Sequence, residues 1–233
     1  MIEQNAFVLH SRPFKENQLI VDLLTENWGR IAATVYVGQS KRSIKKGLIQ
    51  PFLPLKLILK EQGNFIQIHK IDATAKSIPL KKYSLYSGFY LNELLIRLLS
   101  EQIACQPLFI QYQSTLTSLL VSKNIAASLR IFELSLIEEL GLSFDFSPVF
   151  ETDACYFNYI AEQGFVVIEN LTVHNEHSCF NKHHLQIIAQ PSFLNNQNDY
   201  QEVSKTFKLL MRQVINQLLG NKPLNSRKLF AKN

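Results

Sequence analysis

Apolar positions repeat with two different periods along this chain, and the change falls near residue 80. Before that point the pattern is short-stranded. Ala6-Phe7-Val8-Leu9 opens a strand, Leu19 to Leu24 forms a second and Ile31 to Val37 a third. In the third run Ile31, Ala33, Val35 and Val37 alternate with Ala32, Thr34 and Tyr36, which turns one face to a core and one to solvent. Asn27-Trp28-Gly29 is a short hairpin connection ahead of it. Leu55, Leu57 and Leu59 alternate with Lys56 and Ile58 ahead of Lys60. Gln62-Gly63-Asn64 then turns the chain into a last run, Phe65 to Ile71.

After Pro79 the apolar spacing becomes helical. Tyr86, Tyr90, Leu94 and Leu98 form one stripe, with Leu91, Leu95 and Leu99 beside it. Pro107 suits the first turn of a second helix carrying Leu108, Tyr112, Leu116, Leu119 and Leu120. A third helix spans about Ile125 to Leu140 and stops at Gly141. Residues 143–180 read as mixed and short-stranded, with Phe157, Tyr159, Phe165 and Val167 as alternating positions. A last amphipathic helix uses Val203, Phe207, Leu210, Val214 and Leu218 and ends at Gly220. The pattern predicts an α+β protein. A five-stranded OB-fold barrel over residues 1–80 is followed by a mainly helical domain over 81–233, with a small irregular β insertion near 143–180.

Composition narrows the class. With 46% apolar and 18% charged residues over 233 positions, the chain is neither a disordered tail nor a coiled-coil rod. No run approaches the roughly 18–20 apolar residues of a membrane span, since Asn92, Glu93 and Arg97 interrupt Leu85 to Leu99. The opening Met1-Ile2-Glu3-Gln4-Asn5 lacks the marks of a secretory signal. Cys105, Cys155 and Cys179 fit reduced thiols better than a disulfide framework, so a cytoplasmic protein is expected. The charge is segregated: residues 1–82 hold 13 basic and 6 acidic side chains, residues 83–199 hold 4 and 12, and residues 200–233 hold 7 and 1. A basic front and a basic end therefore flank an acidic middle, which builds local potentials that a mixed surface would cancel.

Catalytic chemistry is thin. Gly38 and Gly47 are nine apart and Leu48 follows the second, so no phosphate-cradling loop is present. No Gly-x-Ser-x-Gly elbow occurs, Cys105 has nothing nearby in sequence to lower its pKa, and Asp145, Glu151 and Asp153 read as solvated loop acids. His174, His177, Cys179, His183 and His184 fall within eleven residues, with Cys155 upstream. They lack the paired spacing of a structural zinc site and read as polar loop histidines beside a buried cysteine, with a degenerate zinc site as the alternative. No catalytic residue, metal or cofactor is expected.

The strongest signal is electrostatic. Lys41, Arg42, Lys45 and Lys46 put four cations in six positions between the third and fourth strands, and Arg12, Lys15 and Arg30 lie near the ends of neighbouring strands. Cations that neutralise phosphates release condensed counterions, so this set favours DNA or RNA without reading sequence. A solvated loop is the bland alternative. Phe14, Trp28 and Tyr36 are available to stack on bases, although Phe14 and Tyr36 suit packing better.

Five segments resemble, in order, those of the recombination mediator RecO family of bacterial DNA repair proteins. They are Ala6 to Phe14; Ser40-Lys41-Arg42-Ser43 with Lys46 to Phe52; Leu85 to Leu95; Arg130 to Leu134 with Gly141-Leu142; and Lys222 to Phe230. The resemblance implies an OB-fold followed by a helical domain and a non-enzymatic factor that acts without nucleotide. Such a factor binds single- and double-stranded DNA, anneals complementary strands and docks on the C-terminal tail of the single-stranded DNA-binding protein SSB. With RecR it helps load RecA, which places it at the nucleoid. Many members carry a four-cysteine zinc module, whereas Cys155 and Cys179 stand alone here, as in the zinc-free branch. An apolar slot with a cation suits an acidic tail ending in an apolar residue. Arg130 is assigned to it, with an intramolecular pair to a nearby Glu as the alternative, and Arg227 and Lys228 serve the same tail or DNA. The rival readings are an RNA-binding OB module and a metal-dependent nuclease built on the 145–184 acids and histidines.

Overall fold

The computed structural model describes residues 1–38, 43–63, 65–121, 124–169, 179–194 and 201–230. Five strands come first: β1 (Ile2–Phe14), β2 (Gln18–Thr25), β3 (Gly29–Tyr36), β4 (Leu55–Gln62) and β5 (Phe65–Ala73), with the short helix α1 (Ile44–Leu48) between β3 and β4. They close into a barrel of order β1-β2-β3-β5-β4, in which only the β3–β5 pair is parallel. The alternation read from the sequence is the interior of this barrel: Ile31, Ala33, Val35, Leu55, Leu57 and Leu59 are buried together. In β5 the alternation carries Ile66 and Ile68 inward and then skips to Ile71, because the register against β4 shifts by one residue at His69.

Closure comes from β1, which is longer than its apolar run. Its start, Ile2 to Ala6, pairs with β4, and its remainder, Ala6 to Phe14, pairs with β2. A bulge between Val8 and His10 bends it from one partner to the other. Ala6, Phe7, Val8 and Leu9 are all buried, so this strand is covered on both faces. The outer cover is α2 (Tyr83–Leu98) and α3 (Gln106–Val121). The Phe7 ring meets Tyr112 edge-on at 5.3 Å and lies 5.7 Å from Phe109. Asn92 donates from Nδ2 to the Leu9 carbonyl at 2.9 Å, and the Tyr112 hydroxyl donates to Asn92 Oδ1 at 2.6 Å. Pro107 sits in the first turn of α3 as expected, but Leu120 faces outward and is exposed.

Packing divides the chain into two compact units, Met1–Lys123 with Leu224–Asn233 and Asn124–Pro223. The terminal part of the first unit includes α8 (Arg227–Phe230), whose Phe230 ring meets Tyr86 of α2 edge-on. The second unit holds α4 (Ile125–Glu139), α5 (Ser147–Glu151), a small sheet, α6 (Lys182–Ile188), a 3-10 turn at Pro191–Leu194 and α7 (Gln201–Leu218). The sheet has the order β7-β6-β8, from β6 (Tyr156–Ile160), β7 (Gly164–Val167) and β8 (Phe180–Asn181). Ile137, Phe157, Phe165, Leu185, Phe207 and Met211 share its core. Val167, read as an inward position, is exposed at the end of β7. The chain is therefore α+β, a five-stranded closed barrel followed by a helical region. No helix among the described residues is long and apolar enough to cross a membrane.

Gly29 shows how tightly the barrel meets the segment after α2. Its φ is +62°, and a Cβ there would lie 1.8 Å from the carbonyl oxygen of Ile103. Gly47, on exposed α1, has nothing within 4 Å of an added Cβ. Gly29→Ala should therefore lose about 2 kcal/mol or more of unfolding free energy. Gly47→Ala should gain roughly 0.5–1 kcal/mol. Urea midpoints for the two variants, at unchanged slope, check both signs.

Candidate nucleic-acid interface and its cations

Helix α1 is started by Ser43, whose side chain accepts from the Lys46 amide, so Lys45 and Lys46 are held in one short turn. Lys46 is exposed, and Lys45 reaches β5, its Nζ 3.4 Å from the His69 carbonyl. Lys41 and Arg42 lie outside the described residues. β3 ends beside the β1–β2 turn, where the Val37 amide donates to the Asn17 carbonyl at 2.9 Å. That turn carries Lys15, in the left-handed region with φ +52° and its ammonium 5.3 Å from the Phe14 ring centroid. Tyr36 pairs with Gln18, which in turn pairs with Phe14, so these residues share one end of the barrel. Tyr36 is exposed there, with more than half its surface open, and Trp28 is half-buried against the barrel core.

Arg12 and Arg30 converge on a residue that the sequence pattern did not single out. Asp22, in the middle of β2, has a side chain only 7% exposed. Arg12 Nη1 lies 3.6 Å from its carboxylate, His10 Nδ1 3.7 Å and Arg30 Nη1 3.9 Å. Burying a carboxylate is costly unless such partners stand beside it. Arg30 is further occupied: it donates from Nε to the Leu99 carbonyl at 2.9 Å and pairs with Glu101 at 3.1 Å, leaving its side chain 13% exposed. Arg12 keeps more than half its surface in solvent. Of the predicted set, Arg12, Lys15 and Lys46 are thus open to a ligand, Lys45 partly so, and Arg30 is built into the fold. The available cue to Asp22 was a single charge inside the apolar run Leu19 to Leu24.

A second cationic group lies within the helical unit. Arg130 on α4 is 7% exposed and pairs with fully buried Glu133, one turn along. The intramolecular pair weighed for Arg130 is therefore present. Its Nε and Nη1 atoms have no hydrogen-bond partner among the described residues. Lys208 and Arg212, four apart on α7, crowd the same place. Desolvation pushes the Lys208 ammonium below its usual range, repulsion from Arg212 and Arg130 adds to this, and Glu133 offsets part of it. Lys208 thus stands near both Arg212 and the Arg130–Glu133 pair, with Lys208 and Arg212 exposed on α7. Arg227 and Lys228 are on α8 of the first unit, half-buried and exposed respectively.

The histidine cluster is only partly in view. His174 and His177 lie outside the described residues. His183 and His184 begin α6, where their amides are capped by Asn181, and His184 Nδ1 is 2.7 Å from Thr206 Oγ1. Cys155 is exposed, and burial raises the thiol pKa of half-buried Cys179. Among the described residues no group of three or more His, Cys, Asp or Glu side chains is placed to hold a metal ion. Asp145 instead accepts the Ser147 amide at 2.9 Å at the start of α5.

Glu93 of α2 fastens the C-terminal segment. Its two carboxylate oxygens accept the amides of Asn225 and Ser226, each at 2.8 Å, and Arg97 lies 3.7 Å away. Burial alone would raise this pKa, but the hydrogen bonds from Ser226 and Asn225 and the charge of Arg97 outweigh it and hold the group below 4.5. A carboxylate with a lowered folded pKa stabilises the fold above its unfolded value and loses that contribution as pH falls through the folded one. Stability should therefore decline as pH drops below about 4.5, and the part due to this latch should vanish in Glu93→Gln. Comparing thermal midpoints of the two proteins between neutral pH and acid checks it.

Family models cover nearly the whole chain. Residues 1–76 match the recombination protein O N-terminal model and residues 83–228 the recombination protein O C-terminal model. The chain is 33% identical over 232 residues to a DNA repair protein RecO of Psychromonas ingrahamii, covering 97% of both. It is 34% identical to one of Haemophilus influenzae, over 99% of this chain and 96% of that one. With one of Klebsiella pneumoniae it shares 35% identity, over 97% and 91%. A closed five-stranded barrel edged with cations, a helical region after it and matches along both together place this chain in the recombination protein O family of DNA repair proteins.

Proposed function

We propose that this protein is a non-enzymatic DNA-annealing and loading factor. The observation that carries the reading is the placement of cations at one end of a closed barrel, Arg12 near the end of β1, Lys15 on the β1–β2 turn, and Lys46 with partly open Lys45 on α1. Lys41 and Arg42 extend the set in sequence, and Arg30 supports it by fixing Asp22. Side chains of this kind grip backbone phosphates of single or double strands without reading bases. Neutralising two strands at once lowers their mutual repulsion and lets complementary bases meet. Nothing in that sequence of events needs a nucleotide or a metal.

The cations around Glu133 suit a different ligand. An acidic peptide such as the C-terminal tail of SSB needs charge for its carboxylates, and Arg130, Lys208 and Arg212 supply it. Arg227 and Lys228 serve that tail or the DNA backbone. With RecR as a further partner, the factor would hand SSB-covered single strands to RecA at the nucleoid.

Glu substitution at Lys41, Arg42, Lys45 and Lys46 should weaken binding to every sequence about equally. It should also lower the slope of log affinity against log salt by about one for each phosphate that is no longer neutralised. Fluorescence anisotropy over a salt series measures both, and an unchanged slope removes that loop from the interface. The function itself is tested by annealing complementary oligonucleotides precoated with SSB, in chelator and without nucleotide. Acceleration that disappears when the SSB tail is deleted is the expected result. Folded protein that gives no acceleration overturns the reading and returns the RNA-binding module to first place.

A further inference from the structure

A cleft of about 340 Å³ opens between the β2–β3 connection and the β4–β5 hairpin, lined by Trp28, Glu61, Gly63, Phe65, Ile66 and Gln102. That volume is at the small end of the range for small-ligand sites. None of Arg12, Lys15, Arg30, Lys45 and Lys46 lines it, and among the described residues its one charged lining residue is Glu61, which disfavours a phosphate. Phe65 leaves 62% of its surface in water at the start of β5, a costly position for a phenyl ring without a partner. Across the cleft, the Trp28 indole packs with one side on the barrel core. Among the described residues no ring contact joins Phe65 to Trp28, and Glu61 makes no ion pair. The bare Gly63 adds no side chain to fill the space between them.

The floor of the cleft is held under strain. Gln102 sits in the left-handed region with φ +60°, a conformation that costs a non-glycine residue on the order of 1 kcal/mol. Its amide donates to the Arg30 carbonyl at 2.8 Å, while Arg30 is itself tied to Leu99 and Glu101. That backbone bond fixes Gln102 in the lining of a cleft that also includes Trp28, Phe65 and Glu61.

We propose that this cleft receives one unpaired nucleobase of a bound single strand, and that guanine fits it best. This rests on the DNA-binding reading and adds a base-contacting point to an interface otherwise blind to sequence. The phenyl and indole offer stacking surface to any base. The carboxylate makes the choice among them. Guanine presents two adjacent donors, N1–H and N2–H₂, which the two oxygens of Glu61 can accept side by side. Cytosine and adenine present one exocyclic amine beside a ring acceptor, and the single N–H of thymine is flanked by carbonyls that repel a carboxylate. The Gln102 amide can donate to guanine O6 at the same edge. A strand that follows the barrel cations would thus be anchored by one base as well as by its phosphates.

The chain has one tryptophan, so Trp28 emission reports on the cleft alone. The experiment titrates the full chain with an oligothymidylate carrying one central guanine and with its all-thymine counterpart, following emission and anisotropy together. The guanine strand should quench Trp28 emission. Phe65→Ala should weaken its binding about fivefold or more and abolish the quench. Because Phe65 is exposed, that variant keeps its fold, which circular dichroism verifies. Glu61→Gln should erase the difference between the two strands while leaving the all-thymine affinity as it was. Salt-sensitive binding of both strands with unchanged emission, and with Phe65→Ala binding as tightly as the parent, overturns the base site while the DNA-binding reading stands. Equal quenching by both strands overturns the assignment of guanine. A protein that binds neither strand at low salt removes both readings together.

Discussion

One strand meeting two neighbours holds the barrel shut. β1 can pair with β4 at its start and β2 at its end only because the chain bends at the Val8–His10 bulge, and the bulge has a cost. It takes the Leu9 carbonyl out of the ladder in a place where water does not reach, and a buried carbonyl must find a donor. Asn92 provides it, and the Tyr112 hydroxyl in turn satisfies Asn92. The polar residue that breaks the apolar run of α2 is therefore what lets that helix lie on the barrel. Phe7, turned outward by the same strand, is covered by Phe109 and Tyr112 and completes the seam.

Carboxylates then decide which cations remain for ligands. Asp22 engages Arg12 in part and, together with Glu101, takes up Arg30 almost completely, so two arginines that look equivalent in sequence have different roles. Glu133 does the converse in the second unit: one buried carboxylate holds Arg130 inside the fold, with the ammonium of Lys208 near the pair and Arg212 near Lys208. Breaking a buried pair of this kind is more costly than losing a surface one, because the remaining charge has no solvent to turn to. Glu93 uses neither of its oxygens on a side-chain cation at hydrogen-bonding distance and spends them on backbone amides, fastening a basic tail through geometry.

The cleft beside Trp28 belongs to the same logic. Gly29 must be glycine because the segment after α2 comes against it, and that segment brings Gln102 to a hairpin more than thirty residues away in sequence. Cations grip phosphates without reading bases, whereas a carboxylate near aromatic rings can select by its hydrogen-bonding pattern.

Much of the fold was legible because alternation and helical spacing are local consequences of facing one core. The five strands, the first three long helices and the last one fall where Ile31 to Val37, Leu55 to Leu59 and the Leu91 stripe place them. Where a position has two possible covers, periodicity fails: Leu120 and Val167 continue their patterns and yet face solvent. The polar ends of β1 carry no apolar signal, since their pairing is made by backbone hydrogen bonds with β2 and β4. Charge segregation along the chain was likewise plain, and it pointed to the basic barrel. What sequence by itself determined was the order of elements and the sign of charge in each region, because both follow from neighbouring residues. Only the tertiary structure decided that Arg30 and Arg130 are internal partners, that Lys208 and Arg212 join the latter, and that Glu61, Phe65 and Gln102 share a cleft. Those outcomes depend on which distant carboxylate or ring the fold brings within a few ångströms.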